Sequence, residues 1–192
     1  MASVATLEAK EGIPIQIVVP YGQYTKNDKD FTYTAKMATN MIFPVSPAVT
    51  NNVYRCKFKI NKIKGNQCFG FMRNGLTIPF NSGPNVSPFQ GDNAFFYEDG
   101  SAFWNGVPTT GNKRMKDKDV IEIEVNLKAQ PRTAHLFINE KQQPIFISNI
   151  PEEVQFFFFV ANKNDSVTVI SLKTMNEPTI TNISGAKELR WF

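Results

Sequence analysis

Apolar and polar residues alternate along much of the chain, and a period of two is the signature of a strand. Residues 119–127 show it most clearly. Ile121, Ile123, Val125 and Leu127 fall on one face, and Glu122, Glu124 and Asn126 on the other. That pattern predicts a half-buried antiparallel strand. Residues 53–60 repeat it, with Tyr54, Cys56, Phe58 and Ile60 inward and Arg55, Lys57 and Lys59 toward water. Further strands are predicted at 15–19, 31–37, 41–45, 67–72, 94–98, 134–139, 143–147, 155–161 and 166–173. Clusters of Gly, Pro, Asn and Asp separate them, as turns require. The run Phe156-Phe157-Phe158-Phe159-Val160 has no polar face, which predicts a strand covered on both sides. Helical spacing is confined to 4–11 and 185–191. Many short strands without intervening helices predict an all-β sandwich or barrel.

Composition narrows the class. The chain has 192 residues, 17 of them Phe, with 42% hydrophobic and 20% charged positions. That length and apolar content suit one folded domain rather than disorder. Residues 1–14 are expected to be a flexible N-terminal segment, followed by one domain over 15–192. No apolar run approaches the roughly 20 residues of a membrane helix. The N-terminus lacks a basic region followed by an apolar stretch, so no signal peptide is expected. An intracellular location, cytoplasmic or nuclear, is the expectation. Cys56, Cys68 and His135 are too few for a four-ligand zinc site, so no metal or other cofactor is expected. Asn85-Val86-Ser87, Asn164-Asp165-Ser166 and Asn182-Ile183-Ser184 read as Asn-rich turns.

Enzymatic chemistry finds little support. No Gly-x-Ser-x-Gly elbow and no glycine-rich phosphate loop is present. His135 lies within a predicted strand, and the pairs Glu98-Asp99 and Glu152-Glu153 adjoin turn residues. No catalytic residue is assigned. A net charge of +4 and the basic hairpin residues Lys57, Lys59, Lys62 and Lys64 raise nucleic-acid binding. A charged edge face accounts for them as well, and the second basic run, Lys113, Arg114, Lys116 and Lys118, reads as a charged loop more readily than as a nuclear import patch. Residues 73–93 form the longest stretch without regular pattern, and loops of that length often carry function. Phe80 and Phe89 within it are candidate partner anchors. Trp104, after a turn, is another, since Trp is enriched where partners bind. Arg73 and Asn74 at the loop mouth, Tyr97, and the turn residues Asn162 and Lys163 complete the candidate binding set. Leu189, Trp191 and Phe192 are expected to pack, with the segment 178–192 pairing against the strand at 15–19.

The order of segments resembles a known family. Asn52 to Phe58 is followed by Cys68-Phe69-Gly70-Phe71, then by Tyr97-Glu98-Asp99-Gly100. Next come Lys118 to Leu127, Leu136-Phe137-Ile138-Asn139-Glu140-Lys141 and Ile150-Pro151. The series ends with Phe156 through Val169. Together these resemble a SPRY domain, over about residues 30–173, with an extension at 174–192. Lys118, Glu122 and Glu140 stand where the family often has glycine, which leaves the turn at Asn139-Glu140 longer or strained. By spacing, Asn162 occupies the position of a pocket Trp in the SOCS-box subfamily. The resemblance implies a bent two-sheet antiparallel β-sandwich of the concanavalin-like jelly-roll type. It also implies a non-enzymatic module that binds a peptide or protein surface through loops at one end. The rival reading is a structural subunit of an intracellular assembly, one that could contain nucleic acid, contacting partners through terminal extensions or edge strands.

Overall fold

The structure, a computed structural model, describes residues 12–27 and 29–192. The turn expected at 4–11 lies outside the described residues, as does most of the flexible segment expected at 1–14.

Two sheets face each other. In spatial order, the first holds β1 (Gln16–Ile17), β4 (Met41–Thr50), β13 (Glu153–Val160), β6 (Cys68–Arg73), β7 (Asn93–Tyr97), β8 (Ser101–Trp104) and β9 (Val107–Thr110). The second holds β15 (Lys187–Arg190), β12 (Lys141–Ser148), β11 (Thr133–Ile138), β10 (Val120–Asn126), β5 (Val53–Lys62), β14 (Ser166–Met175), β3 (Thr32–Ala35) and β2 (Tyr24–Asn27). Neighbouring strands run antiparallel except β12 and β15, which are parallel. The alternation left a sandwich or a barrel open; the all-β two-sheet sandwich that the SPRY resemblance implied is the fold of the chain.

The alternation places one face of each sheet in a shared interior. Ile121, Ile123 and Val125 of β10 lie fully buried beside Cys56 and Phe58 of β5. Aromatic rings fill the interior: Phe43 and Phe158 stack at 4.7 Å within the seven-stranded sheet, and Phe58 meets Phe69 across the two sheets at 5.2 Å. Each such ring, fully buried, contributes about 1.5–3 kcal/mol. The Phe run in β13 is covered on both sides. Phe156 and Phe158 enter the interior, whereas Phe157 and Phe159 join a second cluster on the outer face of the seven-stranded sheet. Gly70 lets β6 and β7 approach there, since a Cβ at that position would fall 2.3 Å from the carbonyl oxygen of Ala94.

Several expectations are corrected. Residues 187–190 form a strand rather than a helical turn, and the tail pairs with β12 rather than with 15–19. The strand at 16–17 pairs with β4 instead. Strands β2, β8 and β9 were not legible as alternation because each is only four residues long, and β2 and β9 are also largely polar or exposed. The outer face of β10 is also not a water-facing surface. Glu122 and Glu124 are each only 1% exposed. Residues 176–184 cross that face, with Thr179 bonded to Glu124 and Thr181 to Gln142.

Candidate functional site

The outer face of the seven-stranded sheet carries a row of apolar side chains that the interior does not use. Ile42, Cys68, Met72, Phe95, Phe157 and Phe159 form this row. The chain from 74 to 92 runs across it and sets Leu76, Ile78 and Phe89 against it. Polar clips hold this crossing in place. The buried Asn93 amide donates to the carbonyls of Pro84 at 2.9 Å and Phe89 at 2.7 Å. The backbone N–H of Asn40 donates to Asn81 Oδ1 at 3.0 Å, and Asn40 Nδ2 donates back to the Asn81 carbonyl. These bonds tie the long loop down at Asn81, Pro84 and Phe89, so it forms a wall beside the sheet.

That wall stops short of covering the face, and the uncovered part is a groove of about 450 Å³. Its floor is aromatic. Phe95 and Phe103 stack at 5.0 Å, and Tyr97 meets Phe103 edge-on at 5.9 Å. Phe159 and Val86 close the sides, and the amides of Asn40, Asn66 and Asn85 stand at the rim. Each amide offers both a donor and an acceptor. The Tyr97 hydroxyl donates to Asn66 Oδ1. Burial, and then the neighbouring Cys68, Glu98 and Asp99, push the Tyr97 phenol up to about 12. The groove therefore presents ring faces and neutral amides, with no ionised side chain in its lining.

A smaller groove of about 280 Å³ lies beyond the Asn40–Asn81 clip. Tyr21 and Phe80 stand at its edge with ring centroids 5.2 Å apart, 84% and 64% exposed. Of the two loop aromatics singled out as anchors, Phe80 thus meets solvent. Phe89 does not: it is 4% exposed, its ring packed near Phe157.

The candidate binding residues do not gather at one end. Tyr97 pairs with Cys68 at the start of β6, and the Asn162 amide donates to the Gly65 carbonyl just before it. Lys163 is exposed in the same turn. Arg73 and Asn74 lie at the other end of β6, about 17 Å away at strand rise. Trp104 pairs with Ala94, near that far end. There the Arg73 guanidinium sits 3.2 Å from Asp92 and 5.6 Å from the Trp191 ring centre. Trp104 is half-buried against Trp191 and Phe192. This second end has its own cavity of about 510 Å³, lined by Arg73, Asn74, Arg132, Glu152, Trp191 and others. Sequence reasoning missed Asn40, Asn66, Asn85, Phe95 and Phe103. Their only local signal is strand or turn chemistry; their convergence comes from strand order.

Among the described residues, the reactive residue types are buried or lie outside the groove lining. Both cysteines are free and buried, and burial pushes their thiols well above the usual range, which keeps them protonated and unreactive. His135 stacks on Phe146 at 5.2 Å on the eight-stranded sheet. Among the described residues, no group of three or more His, Cys, Asp or Glu side chains is placed to hold a metal. Nor, among them, is any helix long and apolar enough to cross a membrane.

No family model matches the sequence, and no curated protein sequence matches it. Solved structures do. The SPRY domain of human HERC1 is similar with a TM-score of 0.60 at 18% identity, over 81% of this chain and 94% of that one. The TRIM65 PSpry domain gives 0.53 at 8% identity, over 82% and 86%. Peanut lectin with a 9mer peptide gives 0.53 at 14% identity, over 87% and 95%. With the two-sheet strand order described above, these likenesses assign the chain the SPRY-type fold, a sandwich architecture it shares with peanut lectin.

Proposed function

We propose that residues 15–192 act as a non-enzymatic binding unit that recognises an extended peptide or protein segment. The segment lies in the groove floored by Phe95, Tyr97, Phe103 and Phe159. One observation carries the reading: Tyr97 and Phe103 stay part-exposed over the buried rings of Phe95 and Phe159 in a groove, while hydrogen bonds pin the loop beside them. A rigid concave apolar site with a few placed polar groups is the usual form of a binding pocket. Ring faces accept an apolar side chain, and the rim amides match the donor and acceptor of a passing peptide unit. The exposed Tyr21–Phe80 pair extends the apolar surface past the Asn40–Asn81 clip. The similarity to domains titled SPRY and PSpry agrees with a binding role.

Filling the groove tests the proposal. Val86 stands on an exposed part of its wall, so Val86→Trp occupies the space without entering the interior. A displayed library of short peptides is selected on the wild-type protein, and the selected peptides are measured on both proteins by fluorescence anisotropy. The expected result is binding to the wild type and at least about tenfold weaker binding to a folded Val86→Trp protein. Equal affinity for both proteins overturns the groove assignment. The absence of any selected peptide overturns the peptide reading.

A further inference from the structure

The groove is uncharged, but one of its ends is not. Asn66 and Ala161 line it there, and the residues beside them, Lys64 and Lys163, are exposed. These two loops form one rigid platform around the buried Asp165. Asp165 Oδ1 accepts from the backbone N–H of Lys64 at 2.8 Å, and Oδ2 from that of Asn162 at 2.9 Å. The Asn162 amide then bonds to Gly65. A third loop joins behind them, because the backbone N–H of Met115 donates to the Glu98 carbonyl at 2.8 Å. It carries Arg114, Lys116 and Lys118, all exposed.

Most acids at this end are already engaged; Asp99 is exposed, its Oδ1 accepting from the Ser101 N–H at 2.8 Å. Asp165 and Asp119 are buried and accept backbone N–H groups. Asp117 holds Lys62 at 2.6 Å, and the buried Glu98 faces Arg114 at 3.6 Å. Among the described residues, Lys64, Lys163 and Lys116 form no close ion pair, and Lys118 acts only as a weaker influence on Asp117. Exposed positive charge, from Lys64, Lys163, Arg114, Lys116 and Lys118, therefore exceeds the exposed negative charge of Asp99 and Asp117 at one mouth of an apolar groove.

We infer that the ligand of this groove is an acidic peptide segment. Its apolar side chain rests on the Phe95–Phe103 floor, and its Asp or Glu residues lie toward Lys64 and Lys163. The inference deepens the peptide-binding reading and rests on it. Complementary charge at the rim of an apolar site selects partners and speeds encounter. It does not need buried ion pairs. Nucleic acid is the other polyanion that this end could attract. It is disfavoured because the open aromatic rings lie in a walled groove beside the charge, not along a basic track with stacking platforms.

The test uses three sets of short labelled peptides with one central Phe or Leu, flanked by Asp/Glu, by Ser/Gly or by Lys/Arg. Each is titrated against the wild-type protein and against Lys64→Glu/Lys163→Glu, which changes only exposed positions. The wild type is expected to bind the acidic set at least about tenfold more tightly than the basic set, with the difference shrinking as salt rises. The double variant is expected to lose or invert that order. Equal binding of all three sets overturns the inference and leaves the peptide-binding reading standing. So does a preference that survives the charge reversal. Tighter binding of a labelled single-stranded oligonucleotide, displacing the acidic set, also overturns it. Failure of every set to bind, where the library also selects nothing, removes both readings together.

Discussion

The Arg55 guanidinium donates to Glu124 Oε2 at 2.6 Å on the outer face of the eight-stranded sheet, where Glu124 is almost wholly buried. Arg55 also lies 4.3 Å over the Phe137 ring and 3.4 Å from Glu122. Thr179 closes the arrangement, its backbone N–H and hydroxyl donating to Glu124 at 2.9 and 2.8 Å. Removing one member of a buried pair leaves the other charge uncompensated. Arg55→Ala is expected to lower stability by about 3–5 kcal/mol in urea unfolding. Thr179→Ala removes a neutral hydroxyl that donates to Glu124 and accepts from Arg55 but leaves the ion pair and the backbone N–H bond, and is expected to cost about 1–2 kcal/mol. Similar losses for the two variants would show that the ion pair is not the main element.

Two turns carry backbone geometry that their residues disfavour. Lys118 has φ 72° and Glu140 has φ 65°. The left-handed region costs a residue with a Cβ about 1–2 kcal/mol, and glycine avoids that cost. Lys118→Gly and Glu140→Gly are each expected to raise stability, by about 0.5–1 kcal/mol after glycine's greater unfolded-state entropy. Asn139→Gly provides the contrast. Its side chain accepts from the Val120 N–H at 2.8 Å and donates to Asp119 at 2.8 Å, so this change is expected to destabilise the hairpin. Thermal midpoints of the three variants decide the matter.

His135 supplies a pH dependence. Burial lowers its imidazole from 6.5 to about 4, against the weaker opposing pull of Glu124 opposite it in β10. Neither ring nitrogen has a hydrogen-bond partner. Between pH 4 and 6.5 the unfolded chain binds a proton that the folded chain refuses. Stability from this group therefore rises with pH across that window, by about 3 kcal/mol in total, and is level above it. His135→Phe keeps the stack on Phe146 and is expected to flatten the unfolding free energy over that interval. An unchanged slope in the variant would assign the acid sensitivity to other groups.

Asp165 links stability to the groove. Its carboxylate takes the backbone N–H groups of Lys64 and Asn162, with Ala161 further off at 3.4 Å. Asp165→Ala leaves those part-buried donors without their acceptor, at about 1–2 kcal/mol. It also frees the two loops that frame the basic mouth. Hydrogen exchange is expected to quicken at Lys64 and Asn162 in particular. Exchange that quickened evenly over the whole chain would indicate global destabilisation alone.

The departures from family glycines show how far sequence carries. Lys118 and Glu140 stand where the resemblance expects glycine, and both adopt the backbone angles that glycine would. The turn geometry was legible even where the residue was not the favoured one. Glu122 was not legible in the same way. Its alternation marks it as the outward side of a strand, yet the segment 176–184 covers that side, and it pairs with Arg55 and Lys57. Phe80 and Phe89 look alike in sequence, each an aromatic in a Pro- and Asn-rich loop. One meets solvent and the other is buried, because only the second reaches the cluster around Phe157.

By itself, the sequence determined what local periodicity and turn chemistry control: an all-β chain, most of its strands, and a Phe run covered on both sides. These follow from side-chain direction within a few consecutive residues. Tertiary structure decided everything that depends on which distant strands become neighbours. It placed Tyr97 and Asn162 at one end of β6 and Arg73 and Trp104 toward the other. It brought Asn40, Asn66, Asn85 and Phe103 around one groove, and it paired the tail with β12 in parallel. No local pattern encodes those outcomes, because strand order is settled by how two twisted sheets bury their apolar faces together.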